Sequence, residues 1–278
     1  MARLLKSINR RLRPVVHPFN LSNAGLKTYA EWQYEKGEDT IAFFLKYTDK
    51  DSMFFDKKVL DIGCGAGGKT LYYASLGAAG VVGVDIVEKY KEESEALAEK
   101  LGLSDKFEFV LADAKTLPFP PGTFDTVVMN DAMEHVDKPE ETLAAVLAVL
   151  KEGGRVYINF PPYYHPFGAH LSDVIYIPWV HLFFRDKTLI KAYKELTAGL
   201  PDADDRVSFR ISKNEKGEEY FSYINKMTLK SFRKLLKKMG ITPVYYNEAP
   251  LRGVLKIPAK LPVLRELFVK MAVCIIEK

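Results

Sequence analysis

Residues 59–68 read VLDIGCGAGG, and this stretch decides the fold. Residues 58–62, which read KVLDI, predict a strand, and the glycines after it predict a tight turn into a helix over residues 67–75. Glycines let the backbone approach a ligand closely, and a helix N-terminus offers it unpaired N–H groups. The stretch therefore indicates a ligand-binding loop between a strand and a helix.

The glycine spacing alone leaves two kinds of nucleotide cofactor open. Gly63, Gly65 and Gly68 satisfy the G-x-G-x-x-G pattern of dinucleotide-binding loops. Asp85 follows Gly63 by 22 residues, where a ribose-binding carboxylate belongs for either cofactor. Asp61 ends the first strand, and a carboxylate there suits a cationic ammonium group and opposes a pyrophosphate. This acid therefore favours a cofactor with an amino group over a dinucleotide.

Strands and helices alternate around and after this loop. The predicted strands are 58–62, 80–85, 106–111, 124–130 and 155–160, and the predicted helices between them are 67–75, 88–101 and 139–150. Such alternation predicts an α/β fold, with a parallel sheet between two layers of helices. The flanking predictions are a helix over 34–47, a hairpin of 206–211 with 219–224, a helix capped by Thr228, and late antiparallel strands near 242–246 and 269–276.

Three further features follow in a fixed order. Asp113 comes after the third strand, Phe124 and Asp125 open the fourth, and the turn LKEGG at 150–154 precedes the fifth. With these features, residues 57–160 resemble the class I S-adenosylmethionine-dependent methyltransferases. The resemblance implies a Rossmann-like, doubly wound, mostly parallel sheet with an antiparallel C-terminal edge strand and an inserted aromatic lid region. It also implies S-adenosylmethionine as cofactor and methyl transfer to O, N or C of a small, partly apolar or aromatic metabolite.

The resemblance further implies roles for individual residues. Asp61 is expected to contact the methionine ammonium, directly or through water, and Asp85 to accept hydrogen bonds from the ribose hydroxyls. Asp113 is expected to hold the adenine amino group, and Asn130 to offer a carbonyl near the methionine portion. The backbone lining and the neighbours of the adenine complete the expected set: Gly63, Cys64, Gly65, Gly67, Ile86 and Ala114.

His135 is the candidate catalytic residue. It follows the fourth strand, where the active-site opening of an open parallel sheet lies. A neutral imidazole there can take a proton from a hydroxyl or amine near pH 7, although the same position suits a histidine that only shapes the pocket. The predicted site contains no metal. The alternative is that Asp131, Glu134 and His135 share one helix face and bind a divalent ion, as in the similar Glu-x-x-Glu-His segment of ubiquinone-pathway O-methyltransferases.

An aromatic stretch follows the fifth strand. Residues 160–184 contain eight aromatic side chains in 25 positions, with four prolines that hold irregular backbone. Such linings suit a flat or bulky apolar acceptor, although the rings equally suit a satellite core. The residues singled out are Tyr163, Tyr164, His165, His170, Trp179 and His181, with Tyr29, Trp32 and Tyr34 as candidates to close over the cofactor. The predicted division is a basic arm and helical cap (1–56), a cofactor-binding core (57–160), an insertion or acceptor lid (161–226, hereafter the insert), and a C-terminal helix and sheet edge (227–278).

Charge and cysteine content restrict partners and location. The chain has 278 residues and a net charge of +4, but residues 1–30 hold six bases and no acid, so the remainder is slightly acidic. This does not favour a nucleic-acid substrate, because the basic character belongs to a short arm. Apolar residues lie at helical spacing over 4–15, and one interpretation is weak contact of residues 1–16 with a membrane surface.

The two cysteines cannot form a disulfide framework, which favours a cytoplasmic protein.

Two other function classes remain open at this point. The coincidental G-x-G-x-x-G pattern leaves an NAD(P)-dependent oxidoreductase as the alternative enzyme. A non-catalytic protein that binds S-adenosylmethionine is the other alternative, since the fold does not by itself imply turnover.

Overall fold

The computed structural model describes residues 1–262 and 264–278. The strands in this part of the chain are β1 (Lys58–Ile62), β2 (Gly80–Asp85), β3 (Phe107–Leu111), β4 (Phe124–Asn130), β5 (Leu150–Phe160), β6 (Ile211–Lys213), β7 (Glu219–Phe221), β8 (Tyr245–Pro250) and β9 (Val269–Glu277). The α-helices are α1 (Ala2–Asn9), α2 (Pro18–Asn23), α3 (Tyr29–Glu35), α4 (Gly37–Ile41), α5 (Lys50–Phe54), α6 (Gly68–Ser75), α7 (Tyr90–Leu101), α8 (Pro139–Val149), α9 (Val180–Phe183), α10 (Asp186–Thr197), α11 (Ala203–Arg210), α12 (Leu229–Lys238) and α13 (Arg265–Phe268), and two short 3-10 helices span Gly253–Lys256 and Pro258–Lys260.

Seven strands form the main sheet, in the order β3-β2-β1-β4-β5-β9-β8. The first five strands pair in parallel, and β9 runs antiparallel between β5 and β8. The order reverses between β1 and β4, and open sheets of this kind bind ligands beyond the carboxyl ends of the strands at that point. The predicted doubly wound, mostly parallel sheet with an antiparallel C-terminal addition is confirmed.

Two hydrophobic clusters cover the faces of this sheet. Helices α8 and α12 pack on one face, where Leu143, Val146 and Phe232 are fully buried. Helix α5 and the segment after α4 pack on the other face through Phe44 and Phe54. Burial on both faces explains why the central strands read as continuous apolar runs.

The insert contains a third cluster of its own. Leu189, Ile190 and Tyr193 of α10 pack there with β6 and β7, and Leu5 of α1 is buried among them. The amide of Asn9 ties α1 down, since it donates to the Val174 carbonyl at 2.7 Å. The basic arm is thus docked on the insert through its first helix.

Two of the predicted elements around the core are wrong. The single helix over 34–47 is replaced by the end of α3, the short helix α4 and turns over 42–47. Glycine fits at position 37, since a Cβ there would lie 2.2 Å from the ring of Tyr72. The predicted strand over 206–211 is helical up to Arg210, since a helical period lets Arg206 and Arg210 reach the same buried carboxylate of Asp173. The hairpin survives only as the short pair of β6 and β7.

The boundaries of other elements differ by less. The strand expected near 242–246 begins at Tyr245, and β5 already begins at Leu150. The predicted caps are present: Thr228 accepts from the backbone N–H of Ser231, and Gly102 ends α7 with a φ of 66°. No helix in the described part of the chain is both long enough and apolar enough to span a bilayer.

Candidate functional site

The glycine loop joins β1 to α6 beside the point where the strand order reverses. Gly63, Gly65 and Gly67 have φ values of 70°, 56° and 74°, a region that favours glycine. The N–H groups of Gly63 and Cys64 both donate to the Val84 carbonyl, at 2.8 and 3.1 Å. The loop is therefore held against β2 by its own backbone.

Asp61 lies at the end of β1 and is only 2% exposed. The hydroxyl of Thr70, from α6, donates to its carboxylate at 2.6 Å. Burial raises the pKa of Asp61 to about 6, because little water reaches the carboxylate. The site thus holds a desolvated acid that gains from a nearby cation.

Asp85 and Asp113 lie beyond the ends of β2 and β3. The carboxylate of Asp85 accepts from the N–H groups of Gly65 and Val87, each at 2.9 Å. Burial raises its pKa despite these hydrogen bonds. Asp113 is more exposed and accepts from the Lys115 N–H at 2.9 Å.

The remaining expected residues lie around these acids. Asn130 ends β4 and is 5% exposed, while Ile86 is 71% exposed beside Asp85. Cys64 is buried, and burial raises the pKa of its thiol well above the usual range, which fits packing rather than nucleophilic attack. The fold thus brings the acids and the glycine loop to one edge of the sheet.

Helix α3 covers the glycine loop, partly through Gln33, a residue to which no sequence pattern pointed. The side-chain amide of Gln33 donates to the Cys64 carbonyl at 3.2 Å and accepts from the Gly68 N–H at 3.3 Å. The Tyr29 ring lies against Gly65, where a Cβ would come within 3.3 Å of it. The expectation that Tyr29 closes over this region agrees with that placement.

The segment after β4 is a turn, and the helix that the alternative metal site would require is absent among the described residues. Asp131 has a φ of 50°, which breaks any helical path at its start. Its carboxylate turns toward α6, where the Lys69 ammonium lies at 3.4 Å. Asp131 therefore does not share a helix face with Glu134 and His135, and the three-residue set proposed from spacing is wrong.

Glu134 and His135 meet a different partner, His170 of the insert. The ligand atoms of these three side chains all lie within 4.8 Å of one another. His135 Nδ1 is 2.6 Å from the Tyr223 carbonyl, which can only accept, so this nitrogen carries a proton and Nε2 keeps its lone pair. Burial lowers the pKa of both imidazoles and raises that of Glu134.

The other aromatic residues of the insert pack in separate places. Trp179 donates through Nε1 to the Leu267 carbonyl at 3.2 Å and packs on Phe268. The rings of Tyr163 and His181 pack together, with their centroids 4.8 Å apart. Tyr163 also packs against the hydrophobic cluster of the insert.

Comparison with known proteins identifies the domain around this edge of the sheet. Residues 60–158 match a family model described as a methyltransferase domain. Residues 60–158 thus form a methyltransferase domain. The expected class is thereby confirmed over a dinucleotide-dependent oxidoreductase.

Curated relatives of this methyltransferase domain act on varied acceptors. A probable chloroplastic tocopherol O-methyltransferase from Oryza sativa subsp. japonica is 32% identical over 135 residues, which are 49% of this chain and 37% of the relative. A ubiquinone biosynthesis O-methyltransferase from Colwellia psychrerythraea is 31% identical over 119 residues, 43% of this chain and 48% of the relative. The matched part of the chain thus spans less than half the length of each of these relatives.

Solved structures match over nearly the whole chain. A putative sarcosine dimethylglycine methyltransferase from Galdieria sulphuraria has a TM-score of 0.57 at 15% identity, covering 94% of this chain and 97% of that one. A Methanosarcina mazei protein described as an S-adenosylmethionine-dependent methyltransferase has a TM-score of 0.51 at 22% identity, covering 85% and 96%. These likenesses show the fold.

Proposed function

We propose that this protein transfers the methyl group of S-adenosylmethionine to O, N or C of a small, partly apolar or aromatic metabolite. One observation carries the proposal: the glycine loop, Asp61 and Asp85 meet at the carboxyl ends of adjacent strands inside a matched methyltransferase domain. Curated relatives include a sterol 24-C-methyltransferase and a norajmaline N-methyltransferase besides the two O-methyltransferases described above, which supports a small-molecule acceptor.

In this proposal the two buried acids bind opposite ends of the cofactor. Asp61 pairs with the methionine ammonium, directly or through water, and its desolvation strengthens the attraction. Asp85 accepts the ribose hydroxyls, because a carboxylate holding two backbone N–H groups still has free lone pairs. Asp113 holds the adenine amino group, and Asn130 offers its carbonyl near the methionine. The loop residues and the adenine neighbours take the roles already given: Gly63, Cys64, Gly65, Gly67, Ile86 and Ala114.

The reaction needs little chemistry from the chain. The acceptor lone pair forms a bond to the methyl carbon while the carbon–sulfur bond breaks in line, and S-adenosylhomocysteine leaves. The bound cofactor supplies the activated methyl group, and alignment with exclusion of water supplies much of the rate. When the acceptor arrives protonated, the free lone pair of His135 Nε2 takes its proton.

The insert is proposed to form the acceptor lid, as the predicted division of the chain has it. Its support is position: His170 of the insert lies next to His135, with the ring centroids 4.8 Å apart. The arm and helical cap (1–56) cover the cofactor side through α3, and residues 227–278 complete the sheet.

We also propose that residues 1–16 make weak contact with a membrane surface. Leu4, Ile8 and Leu12 are 52%, 39% and 38% exposed, and bases lie between them. Exposed apolar side chains beside bases suit an anionic lipid surface. A cytoplasmic location is proposed as well, supported by the two buried, unpaired cysteines.

Calorimetry with S-adenosylmethionine and with NADH or NADPH tests the cofactor. Binding of S-adenosylmethionine alone is expected, and binding of a nicotinamide cofactor in its place would overturn the assignment. Transfer of labelled methyl groups into metabolite extracts then separates an enzyme from a protein that only binds the cofactor, since the latter labels nothing.

A further inference from the structure

Glu134 is a buried carboxylate whose oxygens lack a hydrogen-bond partner in the described part of the chain. The residue is 3% exposed, and both Oε1 and Oε2 are unpartnered. A buried carboxyl group without a partner is costly, so its persistence points to a ligand at this place. The strongest ligand for a buried carboxylate is a cation.

The turn that carries Glu134 is held firmly from outside. Asn225 donates its backbone N–H to the Glu134 carbonyl at 2.8 Å. Its side-chain amide donates to the carbonyls of Met133 and Val136, at 2.8 and 2.7 Å. These backbone carbonyls of the turn thus have hydrogen-bond partners, and the side chains of the turn remain available to bind a ligand.

Two imidazoles face this carboxylate. Oε1 of Glu134 lies 3.9 Å from His135 Nε2 and 3.7 Å from His170 Nε2. Both distances are too long for hydrogen bonds. Ligand atoms that share one cation at about 2.1 Å stand roughly 3–3.5 Å apart, so a small contraction of the side chains suffices.

The proton positions also suit a cation. His135 Nε2 has a free lone pair, because Nδ1 donates to the Tyr223 carbonyl. His170 is placed by the insert with a φ of 51°, an uncommon backbone conformation for a residue other than glycine. Arg210 Nε donates to the His170 carbonyl at 3.3 Å and holds it there.

We propose that Glu134, His135 and His170 bind one divalent transition-metal ion, such as Zn²⁺. Two imidazole nitrogens and one carboxylate oxygen suit Zn²⁺ and its first-row neighbours, whereas Mg²⁺ and Ca²⁺ prefer sites made wholly of oxygen. Three protein ligands leave a coordination position open. The inference rests on the proposed function only in one respect: the open position would hold the lone-pair donor of the acceptor. A bound ion would take the lone pair of His135 Nε2, so the ion would replace this imidazole as the group that helps a protonated acceptor lose its proton.

The site differs from both expectations drawn from the sequence. The sequence predicts a metal-free site, with Asp131, Glu134 and His135 as the alternative ion-binding set. Asp131 instead pairs with Lys69, and His170 occupies the third position. The ligands therefore come from two segments, so a bound ion would also fasten the insert to the sheet.

Titration of untagged, chelator-treated protein with Co²⁺ tests the site, because ligation produces visible absorption that Zn²⁺ abolishes by displacement. We expect one Co²⁺ per chain in the wild type. His170→Ala and Glu134→Gln are expected to bind at least tenfold more weakly. His181→Ala is the matched control: its ring nitrogens are also unpartnered within the insert, but it lies outside the cluster, so wild-type binding is expected.

Absence of stoichiometric Co²⁺ absorption in the wild type would overturn the proposal, as would wild-type affinity in both folded variants. Glu134→Gln covers the case in which His170→Ala fails to fold, and far-UV circular dichroism checks each variant. Calorimetry with S-adenosylmethionine on the same samples keeps the two proposals apart: cofactor binding without Co²⁺ binding removes only the metal site.

Discussion

Asp61 combines a cost in the free protein with a proposed gain in the complex. Its carboxylate is desolvated at the end of β1, and the pKa is raised from 3.8 to about 6. Between these values the folded chain holds a proton that the unfolded chain has released. The free energy of unfolding therefore falls as the pH rises from about 4 to about 6, and it stays at the lower level above that range.

Asp61→Asn should separate the two effects. The amide oxygen still accepts from Thr70, but the buried charge is gone. We expect the ligand-free variant to be more stable than the wild type at pH 8, by on the order of 2 kcal/mol, and equally stable at pH 4. S-adenosylmethionine should bind it at least tenfold more weakly. Thermal melts measure the stability, and calorimetry measures the affinity for S-adenosylmethionine. A variant that is less stable than the wild type at pH 8 would contradict this account.

Asp85→Ala should weaken S-adenosylmethionine binding by about 100-fold, because two charge-assisted hydrogen bonds of roughly 1.5 kcal/mol each are lost. Asp113→Ala should cost less, about tenfold, since its carboxylate is more exposed. Glu152→Ala is the control, because its side chain is 85% exposed and it lies near the start of β5, at the end of the strand opposite to the site. Calorimetry on folded protein decides, and wild-type affinity in Asp85→Ala would count against the proposed cofactor site.

At the scale of elements, a buried charge cluster holds the insert together. The carboxylate of Asp173 is inaccessible to solvent and lies 3.1 Å from Arg206 Nη1 and 3.6 Å from Arg210 Nη2, both on α11. The Tyr193 hydroxyl of α10 donates to it at 2.8 Å. One acid thus links a loop and two helices. Its removal leaves the buried Arg210 without its carboxylate partner and Arg206 with Asp202 alone.

Asp173→Ala should lower the free energy of unfolding by about 3–5 kcal/mol, the usual cost of breaking a buried ion pair from one side. Asp205→Ala is the matched control on the surface, where its pair with Lys89 is 66% and 60% exposed, and a loss below about 1 kcal/mol is expected. Urea denaturation compares the two. Similar losses in both variants would show that the cluster does not stabilise the insert.

The sheet could be predicted from the sequence, and the neighbourhood of the site only partly. Strand boundaries such as Lys58–Ile62 follow from local apolar runs, and the glycine loop from residues that are consecutive in the chain. The position of Gln33 over Cys64 and of His170 beside Glu134 joins segments far apart in sequence. Such contacts depend on how α3 and the insert pack on the core, and a single chain carries no local pattern for them.

At the scale of the whole molecule, the basic arm is part of the packed structure. Leu5 is fully buried in the insert, whereas Leu4 on the same helix is 52% exposed. Asn9 completes the contact, since its side chain also accepts from the Tyr176 N–H at 2.6 Å. The positive charge of the arm is therefore carried on the surface of the insert.

Deletion of residues 2–13 should leave S-adenosylmethionine affinity within about threefold of the wild type but lower the melting temperature. The reason is that the deletion uncovers the core of the insert and leaves the glycine loop intact. Leu5→Ala alone should cost about 2–4 kcal/mol, and Leu4→Ala less than about 0.5 kcal/mol. Equal costs for the two would contradict the docked arm.

Vesicle co-sedimentation of the full chain tests the membrane contact. Binding to vesicles with phosphatidylglycerol, but not with phosphatidylcholine alone, is expected, because the arm is basic. Replacing Leu4 and Ile8 by Glu should abolish it, as both side chains are exposed. Unchanged sedimentation of this double variant would assign any binding to another surface.

The separate hydrophobic cluster of the insert has a dynamic consequence. None of its described members, such as Leu189 or Tyr193, comes from the seven-stranded sheet. We therefore expect amide protons of α10 to exchange together, through an opening that costs less free energy than global unfolding. If the insert covers the acceptor, the frequency of this opening sets how fast the product escapes. The slow step of turnover is then the local opening of the insert, and not the transfer of the methyl group from sulfur.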